Sequence, residues 1–198
     1  MADIPARRSA LAEVYRAETC VPPAGQPGIT LSDRVNLTLL DLRGDPANAE
    51  FTASAQSALG CALPLAPNTS ARGPHCDILW LGPDEWLLVS SRVASIGETL
   101  PIAGGCLTDV SHGRTALTIS GAHSRELLAK DCSLDLDART FLPGHCAQSS
   151  LAHVGVLLHL PHAGGEFHLY CARSYAKYLW HSLAEGAREY GYGVAPPA

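Results

Sequence analysis

The sequence predicts an α+β fold built from two split β-α-β (ferredoxin-like) units. Three observations support this class. Residues 34–42, RVNLTLLDL, alternate in the manner of a half-buried strand. Residues 76–90 and 148–172 contain strand-like runs that turn at GPDE and HAGGE, as antiparallel hairpins do. Residues 174–190 carry apolar side chains at helical spacing, so strands are mixed with amphipathic helices.

The first half of the chain continues from the strand at residues 34–42. A helix is predicted from Pro46 to Leu59, because proline is common in a first helical turn. Residues 76–90, CDILWLGPDEWLLVS, read as two strands joined by a turn, and residues 92–100 as a short helix. These elements form the first split unit.

The second half repeats the pattern. Strands are predicted at residues 106–111 and 114–120, and Ser120 is the expected N-cap of the next helix. The side chains of this helix that are predicted to face the core are Leu127, Leu128 and Cys132. Those that are predicted to face solvent are Arg125, Glu126 and Lys130.

The end of the chain contains the second group of strands and the last helix. Residues 148–161 read as an apolar strand pair or one long bent strand, followed by a glycine turn and a return strand at residues 167–172. The last helix runs from an N-cap at Ser174 to Tyr190, and residues 191–198 are a frayed end. Its packed face is predicted to be Ala176, Leu179, Trp180, Leu183 and Ala187.

Proline and glycine separate an N-terminal segment from the rest of the chain. Residues 21–28, VPPAGQPG, cannot hold a helix or a central strand. Residues 1–33 are therefore predicted to be an arm, with a short helix at residues 9–17, that either lies on a partner or is disordered. The remainder is one α+β domain over residues 34–192, or two subdomains over residues 34–104 and 105–192.

Composition excludes several classes of protein. The chain has 198 residues, 46% of them hydrophobic and 17% charged, which is typical of a globular protein. A net charge of -5 without a basic stripe argues against nucleic-acid binding. No apolar run reaches the roughly 20 residues of a membrane span. The N-terminus lacks the apolar core of a secretory signal, and the seven cysteines contain no CxxC pair, so reduced thiols and a cytoplasmic location are expected.

One short segment contains the residue types of a nucleophilic triad: Asp109, Ser111 and His112 in TDVSHG. A triad requires the histidine between the nucleophile and the carboxylate. In a strand, however, Asp109 and Ser111 share a face and His112 points away. The favoured interpretation is a strand end whose polar side chains bond the backbone, followed by a turn at His112 and Gly113.

Other candidate sites have simple structural explanations. The adjacent carboxylates Asp84 and Glu85 fit an exposed hairpin turn, and the tryptophans on either side fit core or interface positions. His153 and His159 are six apart, so a strand would place both on one face, but the sequence shows no carboxylate or thiolate converging on them. No GxGxxG or GxxxxGK[ST] motif is present. No catalytic, cofactor-binding or metal-binding residue is therefore expected in this chain.

Several longer segments carry a resemblance to a known family. They are LGPDEWLLV, TDVSHGRTALTISGAHSRELLAKDCSLDLD, FLPGHCAQSSLAHVGVLLHL and FHLYCARSYAKYLWHSL. Over about residues 30–190 the chain resembles the gamma subunit of bacterial heterotetrameric sarcosine oxidase. More distantly it is similar to the folate-binding fold of the glycine-cleavage T-protein, in which a DVS strand, a second strand and an SG before a helix occur in this order.

The resemblance implies a complex of alpha, beta, gamma and delta subunits. That enzyme oxidatively demethylates sarcosine to glycine with oxygen and tetrahydrofolate, giving hydrogen peroxide and methylene-tetrahydrofolate or formaldehyde. The resemblance places FAD, FMN and NAD in the alpha and beta chains, and none in the gamma chain. Contacts with the partner subunits are expected on the N-terminal arm and on exposed aromatic side chains.

The resemblance also implies a non-catalytic role. T-protein-like enzymes carry an acidic pair on the strand that matches VGVLLHL, and the aligned positions here are Leu158 and His159. Leucine cannot act as a base or oppose a developing positive charge. A structural subunit is therefore expected. Two alternatives are a stand-alone folate or one-carbon-binding module, and a gamma-type subunit of a related N-methyl amino-acid dehydrogenase.

Overall fold

The computed structural model describes residues 8–15, 19–20, 27–91 and 101–197. The strands in this part are β1 (Thr19–Cys20), β2 (Ile29–Arg34), β3 (Thr38–Gly44), β4 (Ser70–Arg72), β5 (Asp77–Gly82), β6 (Glu85–Ser90), β7 (Gly105–Asp109), β8 (Arg114–Ser120), β9 (His145–Leu151), β10 (Val154–Leu160), β11 (Phe167–Ala172) and β12 (Tyr192–Val194). The α-helices are α1 (Ala49–Leu59), α2 (Ser124–Ala129) and α3 (Ala176–Ala187). Single 3-10 turns, Arg173–Tyr175 and Arg188–Tyr190, flank α3.

The strands form two sheets, which confirms the predicted α+β class. One sheet has seven strands in the order β1-β12-β2-β8-β11-β10-β9, and the other has five in the order β4-β5-β6-β3-β7. Neighbouring strands are antiparallel except for β2 and β12, which are parallel. The predicted short helix at residues 92–100 lies outside the described residues.

Three apolar clusters hold the sheets and helices in four layers. The largest lies between the seven-stranded sheet and the helices α2 and α3. A second packs α1 on the five-stranded sheet around the fully buried Phe51 and Trp86. The third joins the two sheets, with Leu79, Leu87 and Val89 facing Leu157 and Tyr170. The order of layers is therefore helices, sheet, sheet, helix.

The predicted strand at residues 34–42 is wrong in one respect, because it is two strands in different sheets. Strand β2 ends at Arg34 in the seven-stranded sheet, and β3 begins at Thr38 in the five-stranded sheet. Asn36 between them has φ 58°, a left-handed conformation that asparagine tolerates. Alternating hydrophobicity continues through this crossover, so the pattern does not reveal the break.

Both ends of the chain contribute more to the fold than their sequences indicate. Strand β2 begins at Ile29, inside the predicted arm, and pairs with β8. Where a helix is predicted at residues 9–17, residues 10–14 form turns, and Leu11 is fully buried in the main core. Residues 16 and 17 lie outside the described residues. The predicted frayed end is wrong, because β12 pairs with β1 and β2 and joins this sheet.

The helix boundaries follow local capping rather than the predicted caps. Helix α1 begins after Asn48, whose side chain accepts hydrogen bonds from the amides of Glu50 and Phe51, and it ends at Gly60 with φ 72°. Ser120 closes β8 instead of capping α2. Ser174 lies in a 3-10 turn, so α3 begins at Ala176. The predicted packed face of α3 is confirmed residue by residue.

Arg125 on α2 is not the simple solvated side chain that the sequence predicts. Its guanidinium donates to the carbonyl oxygens of Leu136 and Phe141 and lies 5.2 Å from the centroid of the Phe167 ring. It therefore fixes the loop that leads from α2 to β9. Leu127 and Leu128 are buried as predicted, while Cys132 lies beyond the end of the helix.

The cysteine side chains that the structure describes are free thiols. Burial raises the pKa of Cys76 and Cys146 to about 12 and that of Cys171 to about 11, which keeps these thiols protonated. Within the described ranges, no helix has both the length and the apolar composition needed to cross a membrane.

The SG dipeptide between β8 and α2 marks a close approach of two backbone segments. Gly121 has φ 116°, and a Cβ atom there would lie 2.3 Å from the Gly28 carbonyl oxygen. The amide of His123 donates to the same oxygen at 3.3 Å. The turn thus packs the start of α2 directly against the start of β2, and a side chain would separate them.

We expect Gly121→Ala to destabilise the protein by about 2–4 kcal/mol, because it combines a strained φ with a backbone clash. Gly155→Ala is the matched control, since a Cβ atom at that position of β10 meets nothing within 4 Å. The control should change stability by less than about 0.5 kcal/mol. Urea unfolding of both variants measures the difference, and equal stabilities would contradict the proposed close approach.

Candidate functional site

The Asp-Ser-His segment forms the predicted strand end and turn. The Ser111 amide donates to the Asp109 carboxylate at 2.8 Å, and the Ser111 hydroxyl accepts from the Leu39 amide at 2.9 Å. This hydroxyl also lies 3.3 Å from the Leu39 carbonyl oxygen, to which it donates. Ser111 is buried and His112 is exposed. The serine thus ties β3 to the turn after β7, and its hydroxyl is committed to the backbone.

The adjacent carboxylates at the β5–β6 turn lie in the predicted hairpin. Asp84 is exposed, and Glu85 accepts from Arg43 on the neighbouring strand at 2.8 Å. Burial and the nearby Asp41 raise the pKa of Glu85, while Arg43 lowers it. The predicted core position of Trp86 is confirmed, because its side chain is fully buried. Its indole N–H donates to the Pro64 carbonyl oxygen at 2.8 Å.

The two positions that align with the T-protein acidic pair lie on opposite faces of β10. Leu158 is fully buried in the cluster beneath α2 and α3. His159 points away from that cluster, as the alternation of a strand requires, and its side chain is also buried. A carboxylate at the Leu158 position would have no polar partner in this apolar layer.

A polar cluster surrounds His159. Its cross-strand partner on β11 is His168, and Asp77 reaches the same place from the start of β5. One potential ligand atom from each of these three residues lies within 4.8 Å of the others. The cluster therefore spans both sheets. His153 does not join it, because it lies in the tight turn between β9 and β10 with φ 64°, so the predicted shared face with His159 is wrong.

The hydrogen bonds determine which nitrogen of each ring carries the proton. The Ser70 hydroxyl donates its single proton to the Gly144 carbonyl oxygen at 2.8 Å. With its proton directed to that oxygen, it accepts from Nε2 of His159, 3.0 Å away. Nε2 of His168 is 3.0 Å from the Glu166 carboxylate, which can only accept when ionised. Each imidazole thus donates through Nε2 and has its lone pair on Nδ1.

Neither Nδ1 atom has a hydrogen-bond partner among the described residues, and both are buried. A buried acceptor without a partner costs about 1–3 kcal/mol. Burial, together with the positive charge of neighbouring groups including Arg34, lowers the pKa of His159 and His168 to about 3. Both rings are therefore neutral at physiological pH, with lone pairs inside the protein.

Charged groups border this cluster on one side. Arg72 forms an ion pair with Asp77 at 3.2 Å, and Arg34 donates to the Tyr170 hydroxyl at 2.9 Å. Burial raises the pKa of Asp77, and the two arginines oppose that rise. The Arg72 side chain is 72% exposed, so it covers Asp77 from the solvent side.

A second polar feature is a cavity of about 270 Å³ between residues 8–10, the end of β2 and the start of β8. Four arginines line it beside the buried Asp33: Arg8, Arg34, Arg114 and Arg173. The carboxylate of Asp33 accepts from Ser9, and burial raises its pKa despite that bond and Arg173. The arginines are scattered in the sequence, so only folding brings them to one cavity.

Sequence reasoning did not anticipate the cluster of Asp77, His159 and His168. The histidines stand out in the sequence, but Asp77 belongs to a hairpin of the other sheet, and nothing in its spacing relates it to them. The signal that was available is the isolated histidine in an otherwise apolar strand, VGVLLHL. A buried histidine there requires polar partners from elsewhere in the fold.

Comparison with solved structures identifies the architecture. A chain of the heterotetrameric sarcosine oxidase from Corynebacterium sp. U-96, in complex with pyrrole 2-carboxylate, matches with a TM-score of 0.83 and 28% identity, covering 93% of this chain and 96% of that chain. Glycine cleavage system aminomethyltransferase T from Bartonella henselae matches with a TM-score of 0.62 and 14% identity, covering 95% of this chain and 58% of that chain. The second likeness shows a shared fold.

Comparison of sequences leads to one family. The sarcosine oxidase subunit gamma of Corynebacterium sp. (strain U-96) is 34% identical over 157 residues, 77% of this chain and 76% of the relative. The same subunit of an Arthrobacter species is 31% identical over 149 residues, 73% of each protein. The family model named SoxG, for the sarcosine oxidase, gamma subunit family, matches residues 43–189. This chain therefore belongs to the sarcosine oxidase gamma subunit family.

Proposed function

We propose that this chain is the gamma subunit of a heterotetrameric sarcosine oxidase, in which it is a structural component without catalytic groups of its own. The observation that carries the proposal is the match of 93% of this chain to 96% of a chain of the heterotetrameric Corynebacterium enzyme. Because both chains are covered almost completely, the likeness extends well beyond a shared motif.

The interior of the domain supports a structural role. Leu158 occupies the first of the two aligned acidic positions and is part of the main apolar core. The hydroxyl of Ser111, the best nucleophile candidate in the sequence, is held by the Leu39 backbone. These residues stabilise the two sheets, and neither is placed to act on a substrate.

The partners follow from the same proposal. The chain assembles with alpha, beta and delta subunits in the cytoplasm, and FAD, FMN and NAD belong to the alpha and beta chains. The complex oxidatively demethylates sarcosine with oxygen. Glycine, hydrogen peroxide and methylene-tetrahydrofolate are the products, with formaldehyde replacing the last when tetrahydrofolate is absent.

Expression of the chain from its own operon should give a single complex with two larger flavoprotein chains and one smaller chain. Native mass spectrometry of that complex reports the partners and the stoichiometry together. The complex should consume oxygen with sarcosine, and the isolated chain should not. A chain that purifies alone from its operon, with no flavoprotein attached, would contradict the proposal.

Two exposed tyrosines are the expected contacts with another subunit. Tyr175 ends the 3-10 turn before α3, Tyr178 lies in the first turn of α3, and each is 54% exposed. Large aromatic side chains contribute strongly to protein interfaces. Tyr175→Ser with Tyr178→Ser should reduce the amount of partner subunits that co-purifies by at least about fivefold, which is the effect of losing roughly 1 kcal/mol.

The matched control for the tyrosine pair keeps both rings. Tyr175→Phe with Tyr178→Phe should assemble as the wild type does, because the apolar area is retained. Circular dichroism of both double variants tests whether the domain remains folded. Normal assembly of the serine variant would place the interface elsewhere.

A folate-binding module is the second candidate, and two observations favour it. The chain shares the fold of aminomethyltransferase T, and four arginines line a cavity of about 270 Å³ that suits a carboxylate. Calorimetric titration of the isolated chain with tetrahydrofolate separates the candidates. As a structural subunit the chain should show no heat of binding at micromolar ligand. A micromolar dissociation constant that Arg114→Gln weakens would favour the folate module.

A further inference from the structure

The buried histidine pair has the arrangement of a metal-binding site. Nδ1 of His159 and Nδ1 of His168 are lone-pair acceptors that meet no hydrogen-bond donor in the described part of the chain. One carboxylate oxygen of Asp77, on the other sheet, lies within 4.8 Å of a ring nitrogen of each histidine. Two neutral imidazoles and one carboxylate are a ligand set that zinc and related divalent ions prefer.

The groups behind the two rings fit this interpretation. Histidines that bind a metal through one nitrogen usually donate the other N–H to a carboxylate or another acceptor, which fixes the ring and its tautomer. Here Nε2 of His159 donates to Ser70, and Nε2 of His168 donates to Glu166, each at 3.0 Å. Ser70 and Glu166 therefore hold both rings through Nε2, which leaves the buried Nδ1 atoms as the nitrogens available to an ion.

We infer that Asp77, His159 and His168 together bind one divalent transition-metal ion of the zinc class. Water completes the coordination from the side on which Asp77 meets solvent. Because Asp77 belongs to the five-stranded sheet and the histidines to the seven-stranded sheet, the bound ion joins the two sheets. Its role is to stabilise the packing of the sheets, and it takes no part in a reaction.

Positive charge near the cluster sets the affinity of this site. Arg72 binds one oxygen of Asp77 at 3.2 Å and so competes with an ion for that carboxylate, while Arg34 adds positive charge nearby. The Arg72 side chain is largely exposed and can turn into solvent when an ion binds. Removing Arg72 should therefore strengthen metal binding, whereas removing a ligand should weaken it.

Cobalt is the probe for this site, because Co²⁺ replaces Zn²⁺ and its visible absorption reports the ligand geometry. Untagged full-length protein, stripped with a chelator, should bind one equivalent of Co²⁺, and Zn²⁺ should displace it. Absorption in the near ultraviolet from thiolate ligands should be absent, since the ligands are nitrogen and oxygen. Zn²⁺ should also raise the Tm of the wild-type protein.

Variants assign the ligands. Asp77→Asn and His168→Gln should each weaken Co²⁺ binding by at least about tenfold. His181→Gln, on the exposed face of α3, is the matched control and should bind as the wild type does. Arg72→Gln should tighten binding severalfold. An unfolded variant cannot produce that gain, so the Arg72 variant decides the question if a ligand variant fails to fold.

Three outcomes would overturn the inference. One is the lack of saturable binding at one equivalent of Co²⁺. Another is a cobalt spectrum dominated by thiolate ligands, which would place the ion on a cysteine. The third is an affinity that stays the same in Asp77→Asn, His168→Gln and Arg72→Gln. None of these results bears on whether the chain assembles with partner subunits, so the metal site and the proposed function are tested separately.

Discussion

Strands β8, β11 and β10 are covered on both faces, and this two-sided burial constrains the rest of the fold. The helices α2 and α3 cover one face and the five-stranded sheet covers the other. Strand β11 accordingly has five buried residues in a row. Such strands tolerate a polar side chain only where the opposing layer supplies a partner. The five-stranded sheet supplies Ser70 to His159, and the turn before β11 supplies Glu166 to His168, whereas the helix–sheet layer is apolar around Leu158.

This division between layers explains what the domain can and cannot do. A carboxylate at the Leu158 position would face the core beneath the helices, so a base cannot be accommodated there without rebuilding that core. The neighbouring His159 points into the polar layer and finds Ser70, which is bonded in turn to Gly144. The scaffold therefore keeps these polar groups between its sheets, where Asp77 can meet them.

Local pattern was sufficient for most of the fold. The packed face of α3, the GPDE hairpin and the turn after Asp109 depend on side chains close in sequence, and the structure confirms them. The predicted helix N-caps Ser120 and Ser174 were wrong locally, whereas the errors in the strands occur where pairing is long-range. Strand β12 has a glycine-rich sequence and exists because β2 and β1 offer it hydrogen bonds. Strands β2 and β3 read as one strand because alternation continues across the left-handed Asn36.

The sequence by itself determined the fold class, most of the strands and helices between β3 and α3 and, through quoted motifs, the family resemblance, because periodicity and motifs are properties of neighbouring residues. It did not reveal β4, a three-residue strand in a segment that has the composition of a loop. Only the tertiary structure decided which distant polar groups meet. Asp77, His159 and His168 come together because two sheets stack face to face. Arg34, Arg114 and Arg173 share a cavity because β2 and β8 are adjacent. Sheet packing sets these distances, and no spacing along the chain encodes them.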